Sequence, residues 1–481
     1  MRKLLSLLLA FIFILAIPLT ASASVLDNEL EEHIRNELNR ANFPNSAVAV
    51  IQDGETTFIL DNSEYDTLYQ IGSLAKSFTG FGVLLLEDMG LLSVTDPVNQ
   101  HLPWFEVRYN NAPVPYEDIT IYNLLHNTSG ITSDERHFPS VTLESAEEFI
   151  EQLRGIELAF YPGEGYGYGN ANYVILGFLI EAVSGQSYDE FMTQNVLHPL
   201  GLYNTFTFTQ NAHATGRVIG GYRLGYFSPR AWNPPVSPIA IPTGFIYSGI
   251  ADMARWTSIH LGAIDVNEQF ARVVQRSHKH NRANDTPFTD MSYFYGAGWR
   301  VEFESGDIRH GAETPGYTAT VRMRPHNGTA VVVIGNMMYG SMFQLGTNIL
   351  DAVDGEPFSS VGMDLFVILD IVFSVLSVVG ILYIGLFVRL VIKVAKRLRS
   401  GEKIKANFTS KNIGRILDPI ISLVILIAFY VGPAMMFGNS FTHVAMHSPA
   451  SMATALAALW IMMMYTLCSW LVRVFVNPKQ I

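Results

Sequence analysis

Apolar and polar residues divide the chain into an apolar N-terminal run, a mixed central region and three long apolar runs near the C-terminus. At the start of the central region, residues 26–41 carry apolar side chains at every fourth position, and Asp27 stands near their beginning. This spacing predicts an amphipathic helix that Asp27 caps.

A hairpin and a second helix follow in the predicted order of elements. Two short apolar runs, 47–51 and 56–60, flank the dipeptide Asp53-Gly54, which predicts a tight β-turn between two strands. An apolar stretch over residues 78–89 predicts a helix that the following glycine ends. This mixture indicates an α/β domain. Later stretches predict helices over 146–153 and 173–183 and strands over 245–247, 298–303 and 329–335.

The N-terminal run has the pattern of a secretory signal peptide over residues 1–23. Arg2 and Lys3 precede an apolar stretch, and small residues stand at the expected cleavage site. An uncleaved anchor is the alternative. Either way, the sequence predicts that the following domain, residues 24–353, is exported.

Three apolar runs, 365–388, 419–437 and 453–472, are each long enough to cross a bilayer as a helix. A linker is predicted over 354–364, between the exported domain and the first run. Within that run, Asp370 lies near the predicted outer end, where interfacial water can solvate a carboxylate.

The charge around these runs predicts their orientation. Nine Lys and Arg residues lie within 389–415, between the first two runs. Basic loops stay in the cytoplasm, so we expect a cytoplasmic loop there, three spans and a cytoplasmic tail over 473–481. The protein is then a multi-pass cell-membrane protein with an extracellular domain and the lipid bilayer as a partner.

Composition narrows the functional classes. The net charge is −12, and because the C-terminal membrane region is basic, residues 4–388 carry a net charge of −23. So acidic a surface argues against a nucleic-acid partner. Cys468, the single cysteine, lies in an apolar run, so the exported domain has neither disulfides nor thiol chemistry.

The stretch 69–78 contains the candidate catalytic chemistry. Ser73 and Lys76 form a Ser-x-x-Lys motif. If Ser73 opens a helix, the two side chains share one face, and a partly desolvated Lys76 amine can act as a base toward the Ser73 hydroxyl. Helix-terminal N–H groups can then stabilise an oxyanion. On its own, this short motif is also compatible with an N-cap serine and a solvated lysine.

Several further stretches, in the same order as in a known family, give the motif its context. From about residue 47 to 335 the chain resembles the class C β-lactamase-like serine hydrolases of the serine β-lactamase and penicillin-binding-protein superfamily. The matching stretches are 72–76, 91–105, 124–131, 161–177, 199–205, 247–256 and 295–299. The resemblance implies an α/β fold of the α+β type, with an antiparallel sheet flanked by helices and a helical lobe.

The resemblance also implies the remaining site residues. The family's Tyr-x-Asn element corresponds to Tyr168 and Asn170, with Tyr168 transferring protons and Asn170 binding lysine and substrate. A phenol beside a lysine ammonium can have a lowered pKa. An alternative interpretation makes Tyr168 an aromatic residue that packs in a surface loop.

The third family motif, a basic residue followed two positions later by glycine, fits this chain imperfectly. His310 is the preferred basic residue, although Ala312 then stands where glycine is usual; Arg309 with Gly311 is the alternative. The family pattern further implies that the backbone N–H groups of Ser73 and Glu313 form the oxyanion hole.

These residues predict an acyl-transfer hydrolase that needs no cofactor and no metal. The substrate is expected to be a small molecule or peptide, namely a cell-wall D-alanyl peptide or ester. A β-lactamase or a general esterase is the alternative, and a non-catalytic wall-binding sensor or scaffold is the alternative from another class. The pairs His278/His280 and His443/His447 are expected to be solvated rather than metal-binding.

Overall fold

The computed structural model describes residues 26–133, 145–235, 237–280, 291–400, 415–437 and 441–475. The predictions for the signal peptide, for residues 401–414 of the basic loop and for residues 476–481 therefore lie outside the described residues.

The elements of the described chain run from a capped helix through a mixed α/β domain to a group of long apolar helices. The helices span Asn28–Ala41, Ala75–Asp88, Val98–His101, Ile121–Leu125, Ala146–Leu153, Asn170–Ser184, Tyr188–Met192, Thr209–Ala214, Ile241–Gly244, Ile250–Leu261, Glu268–Ser277, Met342–Val353, Leu365–Arg399, Leu417–Phe437, Phe441–Met446 and Ser451–Phe475. The strands span Ser46–Gln52, Glu55–Asp61, Tyr69–Gln70, Val107–Tyr109, Ala112–Pro113, Ile156–Glu157, Thr205–Phe206, Tyr222–Gly225, Ser228–Ala231, Tyr247–Ser248, Tyr293–Tyr295, Arg300–Glu302, Ile308–Thr314, Tyr317–Arg324 and Thr329–Gly335.

A seven-stranded antiparallel sheet organises the domain. From one edge to the other, the strands lie in the order Tyr293–Tyr295, Arg300–Glu302, Ile308–Thr314, Tyr317–Arg324, Thr329–Gly335, Ser46–Gln52 and Glu55–Asp61. The strand Ile308–Thr314, called the catalytic strand below, lies between Arg300–Glu302 and Tyr317–Arg324. This arrangement confirms the predicted antiparallel sheet.

Helices cover both faces of this sheet. On one face, side chains such as Val332 pack against the helical lobe that contains Ala75–Asp88 and Asn170–Ser184. On the other face, Val331 and Val333 pack against the helices Asn28–Ala41 and Met342–Val353. Because both faces are covered, the strands Ser46–Gln52 and Thr329–Gly335 are apolar at most positions rather than at alternate ones.

The predicted start of the domain is confirmed. Asp27 caps the first helix, with its Oδ1 accepting a hydrogen bond from the Leu30 N–H at 2.6 Å. Asp53 and Gly54 both have positive φ, as a two-residue hairpin turn requires. Ser46–Gln52 and Glu55–Asp61 are the two paired strands.

Two predicted strands differ in the structure. Residues 245–246 follow a short helix, Ile241–Gly244, and only Tyr247–Ser248 is a strand. In the predicted strand 298–303, only Arg300–Glu302 pairs. Short apolar runs do not distinguish helix from strand by periodicity, and here tertiary packing decides.

Two helices of the described chain, Leu365–Arg399 and Ser451–Phe475, contain segments long and apolar enough to cross a membrane. The third predicted span is also helical, over Leu417–Phe437, and Leu417–Ala428 is the part of this helix whose apolar character the structure describes. These findings indicate association with a membrane, and the three-span topology remains a prediction.

Asp370 is buried, although the sequence predicted that interfacial water would solvate its carboxylate. Its side chain is only 2% exposed. Its Oδ1 accepts a hydrogen bond from the Tyr226 N–H at 3.0 Å, and its Oδ2 accepts one from the Phe227 N–H at 2.7 Å. A turn of the α/β domain therefore replaces the water that the sequence predicted around this carboxylate.

Candidate active site

Ser73 lies in a tight turn directly before a helix. The 3₁₀ turn Gly72–Leu74 leads into the helix Ala75–Asp88, so Ser73 is close to the predicted helix start and Lys76 belongs to the first helical turn. The Lys76 Nζ lies 3.2 Å from the Ser73 Oγ. The structure thus brings the two residues of the motif together.

The Lys76 amine is buried among hydrogen-bond acceptors. It donates to the Asn170 Oδ1 at 2.8 Å and to the Thr243 carbonyl oxygen at 2.7 Å. Its side chain has no exposed surface. The pKa of Lys76 is held well below its usual range, mainly by burial and to a smaller extent by the positive charge of Arg300. The alternative of a solvated lysine is therefore wrong.

The catalytic strand packs directly on the Ser73 turn. Gly72 has a φ of +52°, and a Cβ added there would lie 2.8 Å from the Ala312 Cβ. A side chain at position 72 would therefore separate the turn from the strand. Ala312, which the sequence identified as a departure from the family motif, is accommodated because its neighbour is a glycine.

Tyr168 approaches Lys76 from a separate loop. The Lys76 Nζ lies 4.9 Å from the centroid of the Tyr168 ring. Backbone groups of this loop are fixed by Ser133, which donates to the Tyr168 carbonyl, and by Asn127, which accepts from the Gly169 N–H. The alternative of a surface-packing aromatic residue does not fit this placement.

The Tyr168 hydroxyl is buried and makes no well-aligned hydrogen bond within the described part of the chain. Burial raises its pKa to about 12, although the nearby Ser73 hydroxyl and the Arg300 charge act in the opposite direction. The lowered phenol pKa considered from the sequence is therefore wrong, because burial outweighs the neighbouring positive charge.

Asn170 opens the helix Asn170–Ser184 that follows the Tyr168 loop. Its Oδ1 accepts hydrogen bonds both from Lys76 and from the Thr243 hydroxyl, the latter at 3.1 Å. The predicted contact between Asn170 and the lysine is present.

His310 and Arg309 lie on opposite faces of the catalytic strand. His310 is 1% exposed, and its ring centroid lies 6.2 Å from that of Tyr168. Arg309 instead donates from its Nε to Glu302 at 2.6 Å. His310 is therefore the basic residue on the face that packs against the Ser73 turn, together with Ala312.

His310 is uncharged in this setting. Burial, with the charges of Arg300 and Lys76 adding to it, holds the pKa of His310 well below its usual range. Its Nδ1 lies 2.8 Å from the Gly311 carbonyl oxygen, and its Nε2 lies 3.0 Å from the Tyr295 hydroxyl. Because a carbonyl only accepts, Nδ1 carries the proton and Nε2 accepts from Tyr295.

Arg300, Tyr295 and Thr243 are site residues that sequence reasoning missed. The Arg300 guanidinium carbon lies 5.8 Å from the centroid of the Tyr168 ring, and its Nε is buried without a hydrogen-bond partner in the described residues. Tyr295 lies inside a stretch that carried the family resemblance, but nothing in its local pattern indicates that it contacts His310.

The histidines of the polar stretch after residue 277 are half-buried against other side chains. His278 Nε2 lies 2.9 Å from His260 Nδ1, and burial lowers the pKa of His278 to about 4. The Tyr122 hydroxyl lies 3.1 Å from His280 Nδ1. Both side chains are half-buried, so the prediction that they are solvated is wrong in part. No cluster of metal-ligating side chains occurs among the described residues.

Comparison with known families identifies the family to which this domain belongs. The beta-lactamase family model matches residues 30–354, so the chain belongs to that family. This confirms the resemblance found in the sequence, to the group that includes class C β-lactamases and penicillin-binding proteins.

Individual relatives are similar over the same domain. "Protein flp" of Staphylococcus aureus (strain MRSA252) is 28% identical over 64% of this chain and 62% of its own length. "Penicillin-binding protein 4*" of Bacillus subtilis (strain 168) is 32% identical over 34% of this chain and 35% of its own length. The chain thus aligns with less than two thirds of the length of these relatives.

Solved structures agree in fold. A class C β-lactamase superposes with a TM-score of 0.57 at 16% identity, covering 68% of this chain and 96% of that one. The octameric penicillin-binding protein homologue from Pyrococcus abyssi gives a TM-score of 0.54 at 25% identity, covering 64% of this chain and 73% of that one.

Proposed function

We propose that this protein is a membrane-tethered extracellular serine hydrolase that works through an acyl-enzyme on Ser73. Its proposed substrates are D-alanyl peptides or esters of the cell wall. The observation that carries the proposal is the buried Lys76 amine, which lies 3.2 Å from the Ser73 Oγ. An uncharged amine at this distance is a base for the serine.

The hydrogen bonds around Lys76 give the direction of proton transfer. A neutral amine has two N–H groups and one lone pair. Asn170 Oδ1 and the Thr243 carbonyl both accept, so they engage the two N–H groups. The lone pair is then directed at the Ser73 hydroxyl. As the Ser73 Oγ attacks a substrate carbonyl, its proton passes to Lys76.

Tyr168 is proposed to act on the leaving group. Its pKa of about 12 keeps the phenol protonated at neutral pH, so it can donate. The Lys76 ammonium formed during attack returns a proton through Tyr168. Water then attacks the acyl-enzyme and releases the acyl group from Ser73. Lys76 and Tyr168 transfer the protons of this step in the reverse order.

The proposed oxyanion hole consists of the backbone N–H groups of Ser73 and Glu313. Ser73 belongs to the turn that packs on the catalytic strand, and Glu313 belongs to that strand. Donors fixed on two packed elements stabilise the developing oxyanion without reorganising. Asn170 and His310 are proposed to position the substrate.

Arg300 supports an anionic substrate group. His310 is neutral, so it does not supply the positive charge that lysine gives at the third motif of many family members. The Arg300 guanidinium lies beside Tyr168, and its buried Nε has no hydrogen-bond partner in the part of the chain that the structure describes. A D-alanyl peptide has a terminal carboxylate that such a group can bind. β-Lactamase or general esterase activity, and a non-catalytic wall-binding sensor or scaffold, remain the alternatives.

Turnover by the full chain in nanodiscs tests this proposal. The substrates are a D-alanyl-D-alanine peptide, a D-alanyl ester, a chromogenic β-lactam and a simple aryl ester. We expect release of D-alanine to be the fastest reaction, to be lost in Ser73→Ala and to persist in the exposed-serine control Ser305→Ala. Faster β-lactam or aryl-ester turnover would favour the alternative enzymes, and no turnover at all would favour the sensor.

The proposed orientation has its own test. The helix Leu365–Arg399 ends in a basic turn, and the proposal places this end and the loop to residue 415 in the cytoplasm. In a Cys468→Ser background, we expect Ser400→Cys to resist an impermeant maleimide in intact cells and Ser440→Cys to react. The reverse labelling pattern would contradict the orientation.

A further inference from the structure

A cavity of about 460 Å³ lies between the hydrolase domain and the chain segment that follows the second apolar helix. Its lining is mainly apolar and includes Phe208, Ile219, Ile241, Phe245, Tyr317 and Met446. Among the described residues, none that line it is aspartate, glutamate, lysine or arginine. A cavity of this size and character suits an uncharged aliphatic group.

Two amide side chains of the lining, Gln70 and Asn233, already make hydrogen bonds within the protein. The Gln70 side chain donates to the Tyr247 hydroxyl at 2.8 Å, and the Asn233 Oδ1 accepts from the Gly221 N–H at 2.7 Å. The polar lining residues Gln210 and His213 are exposed, so the buried part of the cavity offers a ligand mainly apolar contact.

The cavity shares its walls with the candidate active site. Gln70 belongs to the short strand that precedes the Ser73 turn. Ile241 and Phe245 flank Thr243, whose carbonyl accepts from Lys76. A chain held in the cavity therefore extends from the same elements that carry the nucleophile and its base.

Met446 comes from the membrane region, at the end of the helix Phe441–Met446. The hairpin Tyr222–Ala231 holds the segment around it. The Arg223 Nη1 donates to the carbonyls of Ala445 and Ser448 at 3.2 and 3.4 Å, and the Ala450 N–H donates to the Leu224 carbonyl at 2.7 Å. Met446 is thus fixed against the hydrolase domain.

Asp370 joins this hairpin to the membrane helices. Besides the two N–H groups of the hairpin turn, it accepts a hydrogen bond from the Ser451 hydroxyl at 2.5 Å. The turn residues Tyr226 and Phe227 both have positive φ, and Phe227 is 66% exposed beside the apolar helices. The cavity therefore lies at the end of the membrane helices to which the hydrolase domain is attached.

We propose that this cavity binds the aliphatic chain of an amphiphilic ester presented at the membrane surface. The inference rests on the proposed acylation of Ser73. The Ser73 Oγ forms a bond to the ester carbonyl carbon, the alcohol leaves with the serine proton carried by Lys76, and water then releases the acid and restores Ser73. No oxidant or further reactant is needed.

The test compares p-nitrophenyl acetate with p-nitrophenyl octanoate, using the full chain in nanodiscs. We expect kcat/KM to rise at least about ten-fold with the longer chain, mostly through KM, because methylenes are buried in the cavity. Met446→Asp and Asp370→Asn remove this gain and leave acetate turnover unchanged. The controls Met363→Asp, an exposed linker residue, and Asp418→Asn, an exposed residue of another apolar helix, keep it.

A second readout separates the two proposals. A dodecanoate ester that carries a diazirine on its acyl chain should cross-link to the Met446 segment in Ser73→Ala as well as in the wild type, and not in Met446→Asp. Acetate turnover without a chain-length gain and without this cross-link would overturn the cavity proposal alone. Cross-linking without turnover and without a Ser73 adduct would overturn the proposed hydrolase and the ester assignment, and would leave only a chain-binding cavity.

Discussion

At the residue scale, the site depends on one lysine that is buried beside a serine. Lys76 must lose its charge to act as a base, and burial together with Arg300 lowers its pKa toward that state. The pKa of Tyr168 is shifted in the opposite direction, because burial raises it and so keeps the phenol protonated. Neighbouring groups whose pKa values are shifted apart in this way suit one base and one acid.

The first prediction concerns the pH dependence of acylation. The acylation rate should rise with pH through the lowered pKa of Lys76, because only the neutral amine accepts the serine proton. In Arg300→Gln this rise should move to higher pH, since a positive charge that depresses the Lys76 pKa is removed. Arg309→Gln, a matched loss of charge on the opposite face of the catalytic strand, should leave the profile in place. An unchanged profile in Arg300→Gln would contradict this electrostatic role.

The second prediction concerns the shared role of Lys76 and Tyr168. Lys76→Ala and Tyr168→Phe should each slow acylation by about 10²–10⁴-fold, the usual range for general acid–base steps. Their losses should not multiply in the double variant, because both groups belong to one proton path. Stopped-flow acylation of the four proteins measures this, and fully multiplicative losses would show two independent roles.

At the scale of elements, the site is the contact between a turn, a loop and a strand. The Ser73 turn packs on the catalytic strand through Gly72 and Ala312, and the Tyr168 loop closes over Lys76. Small residues at this contact set how closely the proposed oxyanion donors of Ser73 and Glu313 can approach each other.

The third prediction tests this contact. Gly72→Ala should reduce acylation and thermal stability, because the new Cβ meets Ala312 and the backbone has a positive φ. The control is Gly90→Ala, because Gly90 also has a positive φ, +73°, but has open space around it. This variant introduces backbone strain without a new contact and should leave acylation intact. Adding Ala312→Gly to Gly72→Ala should restore part of the acylation rate; no recovery would show that the contact does not matter.

Local patterns predicted the elements whose causes are local. The Asp27 cap, the Asp53-Gly54 turn and the apolar strand Thr329–Gly335 all follow from short-range rules, and the structure contains each of them. Motif context likewise led to Ser73 and Lys76, which the structure places together.

The remaining site residues depend on tertiary contacts that no local pattern encodes. Arg300, Tyr295 and Thr243 reach the site only because distant segments fold onto the helix Ala75–Asp88. The burial of Asp370 could not be predicted for the same reason, since its partners are backbone N–H groups 143 and 144 residues away. A single sequence cannot show which distant backbone replaces water around a carboxylate.

At the scale of the whole molecule, the membrane helices and the hydrolase domain are joined through side chains as well as through the linker. Asp370 and Arg223 bind backbone groups across this junction. The domain is thereby held in one orientation toward the apolar helices, which supports the proposal that its substrate is presented at a membrane surface.

The central claim is that Ser73 becomes acylated in the intact protein. The most direct measurement is peptide mapping by mass spectrometry after the full chain in nanodiscs reacts with a fluorophosphonate or penicillin probe. We expect one adduct per chain, located on Ser73, absent from Ser73→Ala and strongly reduced in Lys76→Ala. An adduct on another residue, or an adduct that persists in Ser73→Ala, would contradict the account.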